Sequence, residues 1–325
     1  PGHVQYTRNM ITGASSANLI IVLVDARQGV VEQTRRHSII ASLLKIPHVV
    51  VAINKMDLVN FSPDIYNNIV IDYAAVAKQL GLNDVTYIPI SALQGDNIVD
   101  KSQKMDWFDG KPLLQLLEEI EIDHDVNHED SRFQVQLVIR PQTEELHDYR
   151  GYAGKVISGI YRKADKVKVL PAGIESVISK VEVAGKEVDE VFAPQSAVIQ
   201  LEHDIDISRG DSIVKAGDEV NVGNEIEALL CWMGDKPLQP GNKYLLQHNS
   251  RLVRAVVRDV EYKLDVNTLQ KIDVTEAVKL NEVVKATIKT ASPLVYDPYN
   301  KISANGSAIL IDETSNSTVA AVLFQ

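Results

Sequence analysis

The apolar residues of the first 122 positions or so form continuous runs separated by segments of helical spacing. Such runs lack the alternation of half-exposed strands and are typical of parallel strands buried on both faces. They predict three strands, at residues 18–25, 48–54 and 86–91. Apolar spacings of three and four predict three helices, at residues 33–45, 64–80 and 113–120. The alternation of strand and helix predicts a doubly wound α/β domain with a parallel sheet.

Some of these elements carry their own start and stop signals. The sequence Ser62-Pro63-Asp64 resembles a helix start with proline in the first turn, and Gly81 is a natural helix stop. Pro112 similarly opens the short third helix. We therefore expect the second helix to begin close to Pro63 and to end just before Gly81.

After residue 131 the pattern changes to an alternation of apolar and polar residues. It is clearest at residues 133–139, 166–170 and 176–183, and turns rich in Gly and Asp separate such segments through to Gln325. Short alternating strands at this spacing predict β-barrels, with no helix longer than a turn or two. The segment RGYAG at residues 150–154 is predicted to shape a turn, with its glycines at positive φ.

Two polar segments divide the chain. Residues 121–131 (EIDHDVNHEDS) are acidic and predict a linker, and residues 217–224 (GDEVNVGN) predict a second break. We expect three domains: a partial nucleotide-binding domain at 1–125, a β-barrel at 132–222 and a C-terminal β-barrel at 225–325. The histidines and carboxylates of the linker lack a rigid frame, so no metal site is expected there.

Composition narrows the functional classes. The chain has 325 residues, 45% hydrophobic and 24% charged, which is globular composition with length for two or three cores. A net charge of −11 argues against nucleic-acid binding, which usually needs a basic face. The single cysteine, Cys231, is expected in the core and fits a reducing compartment. The longest apolar run, residues 19–24, is too short to span a bilayer, and with no signal peptide we expect a cytoplasmic protein without membrane partners.

Candidate chemistry begins at Asn54-Lys55-Met56-Asp57, directly after the second predicted strand. The Asp57 carboxylate can accept two parallel hydrogen bonds from the ring N–H and the exocyclic amine of guanine, whereas adenine offers no donors there. Asn54 can bond the base edge and brace neighbouring loops, and the Lys55 stem can lie along the base face. Taken alone, these four residues are equally well explained as a solvated turn.

Two further motifs occur in the order that a guanine-nucleotide site requires. Ser91, Ala92 and Leu93 follow the third predicted strand, where a backbone N–H could reach the carbonyl oxygen of guanine. The sequence opens with PGH at residues 1–3, where a GTPase places the loop that senses the γ-phosphate. Together the three motifs indicate a GTPase.

These residues resemble the elongation-factor class of GTPases, in which two β-barrels follow the GTPase domain, so the resemblance spans the whole chain. Within that class the chain looks most like the GTPase (large) subunits of bacterial sulfate adenylyltransferases. The resemblance is carried by TRNMITGAS (7–15), LVDARQGVVEQTRRHS (23–38), VVVAINKMDLV (49–59), SALQGDN (91–97), RGYAG (150–154), KVLPAGIES (168–176) and IDISRGD (205–211).

The resemblance implies a role for the chain. Such subunits bind GTP with Mg²⁺ and pair with a separate catalytic subunit, which forms adenylyl sulfate and pyrophosphate from ATP and sulfate while GTP hydrolysis drives the step. It implies that Asn54, Lys55 and Asp57 select guanine, that residues 91–93 support them, and that His3 positions the attacking water. The alternative for His3 is a frayed terminal side chain. Alternative functions are an elongation factor that carries aminoacyl-tRNA and a non-enzymatic scaffold.

The sequence departs from the class in one respect. No G-x-x-x-x-G-K-[ST] occurs in it, so the amides, lysine and hydroxyl that bind phosphates and Mg²⁺ are absent. The chain opens at Pro1 without an initiator Met, and we expect a fragment, or the ordered part of something longer, that lacks the first strand and helix of the domain. Residues 19–24 should then expose core surface. This polypeptide, as written, is predicted not to hydrolyse GTP and to bind it weakly.

Overall fold

The computed structural model describes residues 17–122, 127–141, 148–265 and 270–325. The chain divides into two compact units. The first is built on residues 17–122 and the second on residues 127–141, 148–264 and 271–325.

The first unit contains a three-stranded parallel sheet with the order β1-β2-β3. Its strands are β1 (Leu19–Asp25), β2 (His48–Asn54) and β3 (Asp84–Pro89). Its helices are α1 (Glu32–Leu43), α2 (Pro63–Leu80) and α3 (Leu113–Glu119), and a short 3₁₀ helix covers Met56–Val59. The α/β architecture expected from the apolar runs is confirmed, and because the strands are parallel their carboxyl ends share one edge of the sheet.

Helix α2 shows how local signals set its limits. Ser62 caps its start by accepting a hydrogen bond from the N–H of Ile65, and Pro63 occupies the first turn. Gly81 ends the helix with φ of 66°, a left-handed conformation that glycine adopts without steric cost. On its buried face, the hydroxyl of Tyr73 lies 2.7 Å from that of Ser38 in α1, so a buried polar contact joins the two helices.

The central strand β2 forms the core of this unit, because Val49 to Ile53 are all 0–2% exposed. Strand β1 lies at the edge of the described sheet. There Ile21 and Leu23 are 39% and 63% exposed, whereas Val22 and Val24 are buried. The expectation of exposed apolar surface along residues 19–24 thus holds on one face of β1.

The second unit contains two closed β-barrels, as the alternating segments predict. In the first barrel, the strand order β11-β5-β4-β12-β7-β8 closes through a β11–β8 pairing. Its strands are β4 (Arg132–Ile139), β5 (Gly151–Ser158), β6 (Ile160–Arg162), β7 (Lys166–Leu170), β8 (Ile174–Val183), β9 (Lys186–Glu187), β10 (Glu190–Phe192), β11 (Ser196–Leu201) and β12 (Ser212–Lys215). Inward-facing residues such as Phe133, Val135 and Tyr161 fill its interior.

The second barrel closes in the same way, with the order β14-β18-β19-β13-β17-β15 and a β14–β15 pairing. Its strands are β13 (Asn221–Trp232), β14 (Lys243–His248), β15 (Arg251–Leu264), β16 (Lys271–Ile272), β17 (Val283–Tyr296), β18 (Ser307–Ile311) and β19 (Thr318–Phe324). Trp232, Leu246 and Phe324 belong to its core. Cys231 is buried as expected, and burial raises the pKa of its thiol to about 12.

Two details of the second unit differ from the sequence-based expectations. Residues 150–154 do not shape a turn, because Gly151 opens strand β5 and neither Gly151 nor Gly154 has positive φ. Gly154 serves close approach instead: a β-carbon there would overlap the backbone carbonyl of Gln134 on β4. Strand β13 begins at Asn221, inside the predicted break at 217–224, because its polar first residues pair with the end of β17.

An ion pair connects the two barrels. Arg132, at the start of β4, is 1% exposed and donates from Nε and Nη2 to the two oxygens of Asp297, each over 2.8 Å. Asp297 also accepts a hydrogen bond from Asn305, and the guanidinium donates to the carbonyl of Glu219. The pair is therefore bidentate and its remaining polar groups are bonded, which a buried ion pair requires.

Helices of the described residues include none that is both long and apolar enough to cross a membrane.

Candidate functional site

The carboxyl ends of β1, β2 and β3 bring together three polar turns. The last residues of β1 and β2, Asp25 and Asn54, are partners in the parallel register, and Ile53 pairs with Pro89 of β3. Ser91 follows β3 after one further residue. The turn after β2 and the turn after β3 therefore lie at one edge of the sheet, where open α/β proteins bind ligands.

Asn54 bridges the two turns. Its side-chain oxygen accepts the N–H of Lys55 over 2.7 Å and the N–H of Ala92 over 3.0 Å. An amide oxygen that accepts two backbone N–H groups fixes the plane of the side chain, and its NH2 group then remains as a donor. Asn54 thus holds both turns in place and presents two N–H bonds.

The backbone at Lys55 is unusual. Its φ of 66° and ψ of 34° are left-handed, a conformation that costs a non-glycine residue free energy and that tends to persist at functional sites. Met56, which follows, is fully buried, and its N–H bonds the carbonyl of Ile90 over 3.2 Å. The buried Met56 anchors the turn, while Lys55 before it is exposed and Asp57 after it is half-buried.

The carboxylate of Asp57 has one side-chain hydrogen-bond partner among the described residues. The hydroxyl of Ser91 donates to its Oδ1 over 2.7 Å, and the same hydroxyl accepts the N–H of Gln94 over 3.3 Å. Ser91 is fully buried, so this bond is shielded from water. The bond orients the carboxylate and leaves Oδ2 and the second lone pair of Oδ1 to accept hydrogen bonds from a ligand.

The turn after β3 is held by its own hydrogen bonds. The N–H of Ser91 bonds the carbonyl of Asp96, and the N–H of Gly95 returns to the carbonyl of Ser91 over 2.8 Å. The buried side chain of Asn97 donates to the carbonyl of Pro89 and accepts from the N–H of Ser102. The N–H groups of Ser91 and Ala92 are thus occupied. That of Leu93 has no acceptor among the described residues, and its side chain is 89% exposed.

Asp25 also belongs to this group of side chains, a role that was not expected from the sequence. Its carboxylate accepts a bidentate pair of hydrogen bonds from Arg27, over 3.0 and 2.8 Å, and one from Nζ of Lys55 over 2.8 Å. The hydrogen bonds from Arg27 hold the pKa of the Asp25 carboxyl well below its usual range, although partial burial opposes them. Its position at the end of a predicted parallel strand was the available signal.

The predicted site residues of the turns after β2 and β3 lie together at one edge of the sheet. They are Asn54, Lys55, Asp57, Ser91, Ala92 and Leu93. His3 lies outside the described residues. In the described part of the chain, no group of three His, Cys, Asp or Glu side chains could hold a metal ion. An oriented carboxylate can accept hydrogen bonds from the edge of a planar base and an amide NH2 can donate to it. A lysine stem can pack along the face of the base.

Comparison with protein families identifies two matching regions. The family described as "Elongation factor Tu GTP binding domain" matches residues 1–172, just over half of the chain. The family described as "GTP-eEF1A C-terminal domain-like" matches residues 225–324. The first match covers the unit that contains the site, and the second covers most of the second barrel.

Curated relatives cover nearly all of the chain. A "Bifunctional enzyme CysN/CysC" of Mycobacterium tuberculosis is 48% identical over 99% of this chain and 52% of that protein. A "Sulfate adenylyltransferase subunit 1" of Bacteroides fragilis is 47% identical over 98% of this chain and 66% of that protein, and one of Alteromonas mediterranea is 46% identical over 99% and 67%. The chain thus spans about half to two thirds of the length of these relatives.

Among solved structures, Sup35 in complex with GMPPNP is similar to this chain with a TM-score of 0.54 at 22% sequence identity. The match covers 96% of this chain and 79% of the Sup35 chain. The complex of Sup35 with GDP has a TM-score of 0.56 at 21% identity, with the same coverage. These similarities concern the fold alone. From the domain match and the curated relatives together, the chain belongs to the elongation-factor-like GTP-binding family, and within it to the sulfate adenylyltransferase subunit 1 group.

Proposed function

We propose that this chain is the guanine-binding and barrel part of a GTP-dependent regulatory subunit of a sulfate adenylyltransferase. The whole protein couples GTP hydrolysis to the formation of adenylyl sulfate from ATP and sulfate. The observation that carries the proposal is the geometry of the strand ends, where the Asp57 carboxylate is oriented by Ser91 and the turns are joined by Asn54. The names of the relatives supply the reaction.

In this proposal Asp57 recognises guanine. Its carboxylate accepts the N1–H and the exocyclic amine of the base, and because adenine has no donors at that edge, adenine leaves the carboxylate unpaired. The amide NH2 of Asn54 donates to the base, and the aliphatic stem of Lys55 lies along its face. The Met56 anchor keeps these side chains in place without moving into the site.

The carbonyl oxygen of guanine needs a donor from the turn after β3. Because Asn54 already holds the N–H of Ala92, we assign the contact to the N–H of Leu93, with Ser91 and Ala92 fixing the turn. The exposed Leu93 side chain plays no part in it. This assignment predicts that the identity of residue 93 matters little so long as it retains a backbone N–H, so that proline alone would remove the donor.

The phosphates and Mg²⁺ need groups that this sequence does not contain, since it has no phosphate-binding G-x-x-x-x-G-K-[ST] motif. We place Mg²⁺ with those groups in the full-length protein and assign His3 to positioning the attacking water. The separate chain of 325 residues should then be unable to hydrolyse GTP and should bind guanine nucleotides only weakly. Titration with fluorescent GDP tests this, and submicromolar affinity of the separate chain would show it wrong.

The partner in this proposal is the catalytic subunit of a sulfate adenylyltransferase, with which the full-length protein forms a hetero-oligomer. We propose a cytoplasmic location, because the single cysteine is a buried free thiol and requires no oxidising compartment. Purification of the tagged full-length protein from cells tests the partner. Recovery of a sulfate-activating subunit is expected, and recovery of aminoacyl-tRNA instead would favour an elongation factor.

Base selectivity tests the site directly. The full-length protein should bind GDP tightly and prefer it over ADP by a factor on the order of 10⁴. Asp57→Asn replaces one acceptor by a donor, so it should weaken GDP binding and improve the binding of xanthosine diphosphate, which carries a carbonyl in place of the amine. Equal affinity of the wild-type protein for GDP and ADP would overturn the proposed function.

A further inference from the structure

Asp25 is the centre of a charge cluster beside the proposed guanine site. Its side chain is 17% exposed and touches two cations, Arg27 and Lys55, whose side chains are 48% and 46% exposed. The backbone N–H of Arg27 also bonds its Oδ1 over 3.0 Å. A single carboxylate therefore holds both cationic side chains by charge-assisted hydrogen bonds.

The same two cations belong to the edge of the sheet that carries Asp57. Lys55 precedes it by two residues, and Arg27 interacts electrostatically with its carboxylate. Because β1 and β2 are parallel and Asp25 pairs with Asn54, Asp25 lies beside the turn that carries both Lys55 and Asp57. The edge of the sheet thus carries two cations and two carboxylates, with the cations bonded to Asp25 alone.

This distribution matters because Asp57 has to keep acceptor capacity for a ligand. A cation released from Asp25 would find Asp57 as a nearby carboxylate, and an ion pair there would occupy the oxygens that guanine uses. Lys55 is flexible along its four-carbon stem, so an ammonium that loses its partner would move to the next carboxylate within reach.

We propose that Asp25 is a positioning residue that holds Lys55 and Arg27 away from Asp57 and so sets the selectivity of the site for guanine. The inference rests on the proposed function. Asp25 also fixes the direction of the Lys55 stem. Because Nζ bonds Asp25, the side chain of Lys55 runs from the left-handed turn toward the end of β1.

The charge state of Asp25 supports this assignment. Hydrogen bonds from Arg27 and Lys55 lower the pKa of its carboxyl, with Arg27 contributing most. The carboxylate is therefore ionised at any pH at which the protein would function, and both cations keep their partner throughout that range.

The test compares GDP with inosine diphosphate, which lacks the exocyclic amine, in the full-length protein. The wild-type protein should prefer GDP by about tenfold or more, because Asp57 loses one of two bonds with inosine diphosphate. Asp25→Asn should weaken GDP binding more than inosine diphosphate binding, so that the preference falls by about fivefold or more. Asp25→Glu, which keeps the charge, should restore part of the preference.

Asp84→Asn is the matched control, because it removes a carboxylate that bonds His48 at the opposite, amino-terminal edge of the same sheet. It should leave the preference unchanged. A general loss of stability would weaken the binding of both nucleotides equally and would not change the ratio of their affinities. In a Lys55→Met background, where one competing cation is gone, the effect of Asp25→Asn should shrink.

An unchanged preference in Asp25→Asn would overturn the inference, as would an equal loss in Asp84→Asn. If the wild-type protein bound GDP and ADP alike, the proposed function would fail and this inference with it. If guanine selectivity held but Asp25→Asn behaved as the wild type, the inference alone would fail.

Discussion

The side-chain oxygen of Asn54 accepts the backbone N–H of Ala92 over 3.0 Å, so one amide joins the turns that follow two neighbouring strands. The bond joins the two turns directly and restricts their movement relative to each other. Such a restriction lowers the entropy cost of ordering the turns around a nucleotide.

Replacing Ser91 with alanine should weaken nucleotide binding without unfolding the unit. The substitution removes the buried donor to Asp57 but keeps the volume nearly constant. We expect GDP affinity of the full-length protein to fall by roughly tenfold, the value of one hydrogen bond to a charged group. Val99→Ala, at a 58% exposed position in the same loop, is the control. Equal affinities of the two variants would argue against a role for Ser91 in orienting Asp57.

Removing the carboxylate partner of a buried arginine should lower the free energy of unfolding far more than breaking a half-exposed ion pair. Asp297→Ala leaves the guanidinium of Arg132 without its bidentate acceptor and should lower the free energy of unfolding of the barrel unit by about 3–5 kcal/mol. The comparison is Lys301→Ala, which removes a half-exposed ion pair with Asp130 and should cost about 1 kcal/mol or less. Urea denaturation followed by tryptophan fluorescence measures both, and similar losses would contradict the burial argument.

Gly154→Ala should destabilise the first barrel, because its added methyl group would overlap the carbonyl of Gln134 on the neighbouring strand. We expect a loss of about 1–3 kcal/mol, typical of overpacking. Gly217→Ala is the matched control, since nothing lies within 4 Å of a β-carbon there and its φ is not positive. That substitution should be neutral or slightly stabilising. A wild-type melting temperature for Gly154→Ala would show that the strands can separate at no cost.

Tyr73 gives the α/β unit a defined dependence on alkaline pH. Burial raises the pKa of its hydroxyl to about 12, whereas an unfolded tyrosine titrates near 10. The raised pKa means that its contribution is intact below pH 10 and is lost as the pH rises toward 12. The stability advantage of the wild type over Tyr73→Phe should therefore shrink by about 1.4 kcal/mol between pH 9 and pH 11. Denaturant titrations at both pH values measure it, and a constant difference would contradict the assignment.

Much of the α/β unit was predictable because its signals are local. The second helix was expected at residues 64–80 and is observed at Pro63–Leu80, since Ser62, Pro63 and Gly81 fix its ends by backbone chemistry alone. The strands followed from apolar runs in the same way. The alternating segments likewise gave the barrels, although which strands pair to close each barrel depends on contacts distant in sequence.

What the sequence did not reveal depends on neighbours across the sheet. Gly154 was expected at positive φ. Glycine is required there instead because the carbonyl of Gln134, twenty residues away, leaves no room for a β-carbon. The role of Asp25 depends on register, which places it beside Asn54 and within reach of Lys55. The contact at Gly154 has no local signature in the chain, and for Asp25 the one local signal is its position at the end of a predicted strand.

The bidentate contact of Arg132 has a consequence for how the barrels respond to stress. Arg132 is the first residue of strand β4, and its bidentate carboxylate partner belongs to the other barrel. Separating the barrels would leave the guanidinium of Arg132 and the carboxylate of Asp297 each without its partner. The two barrels should therefore melt in a single cooperative transition, and tension applied to the chain at Ser131 would be shared by both barrels.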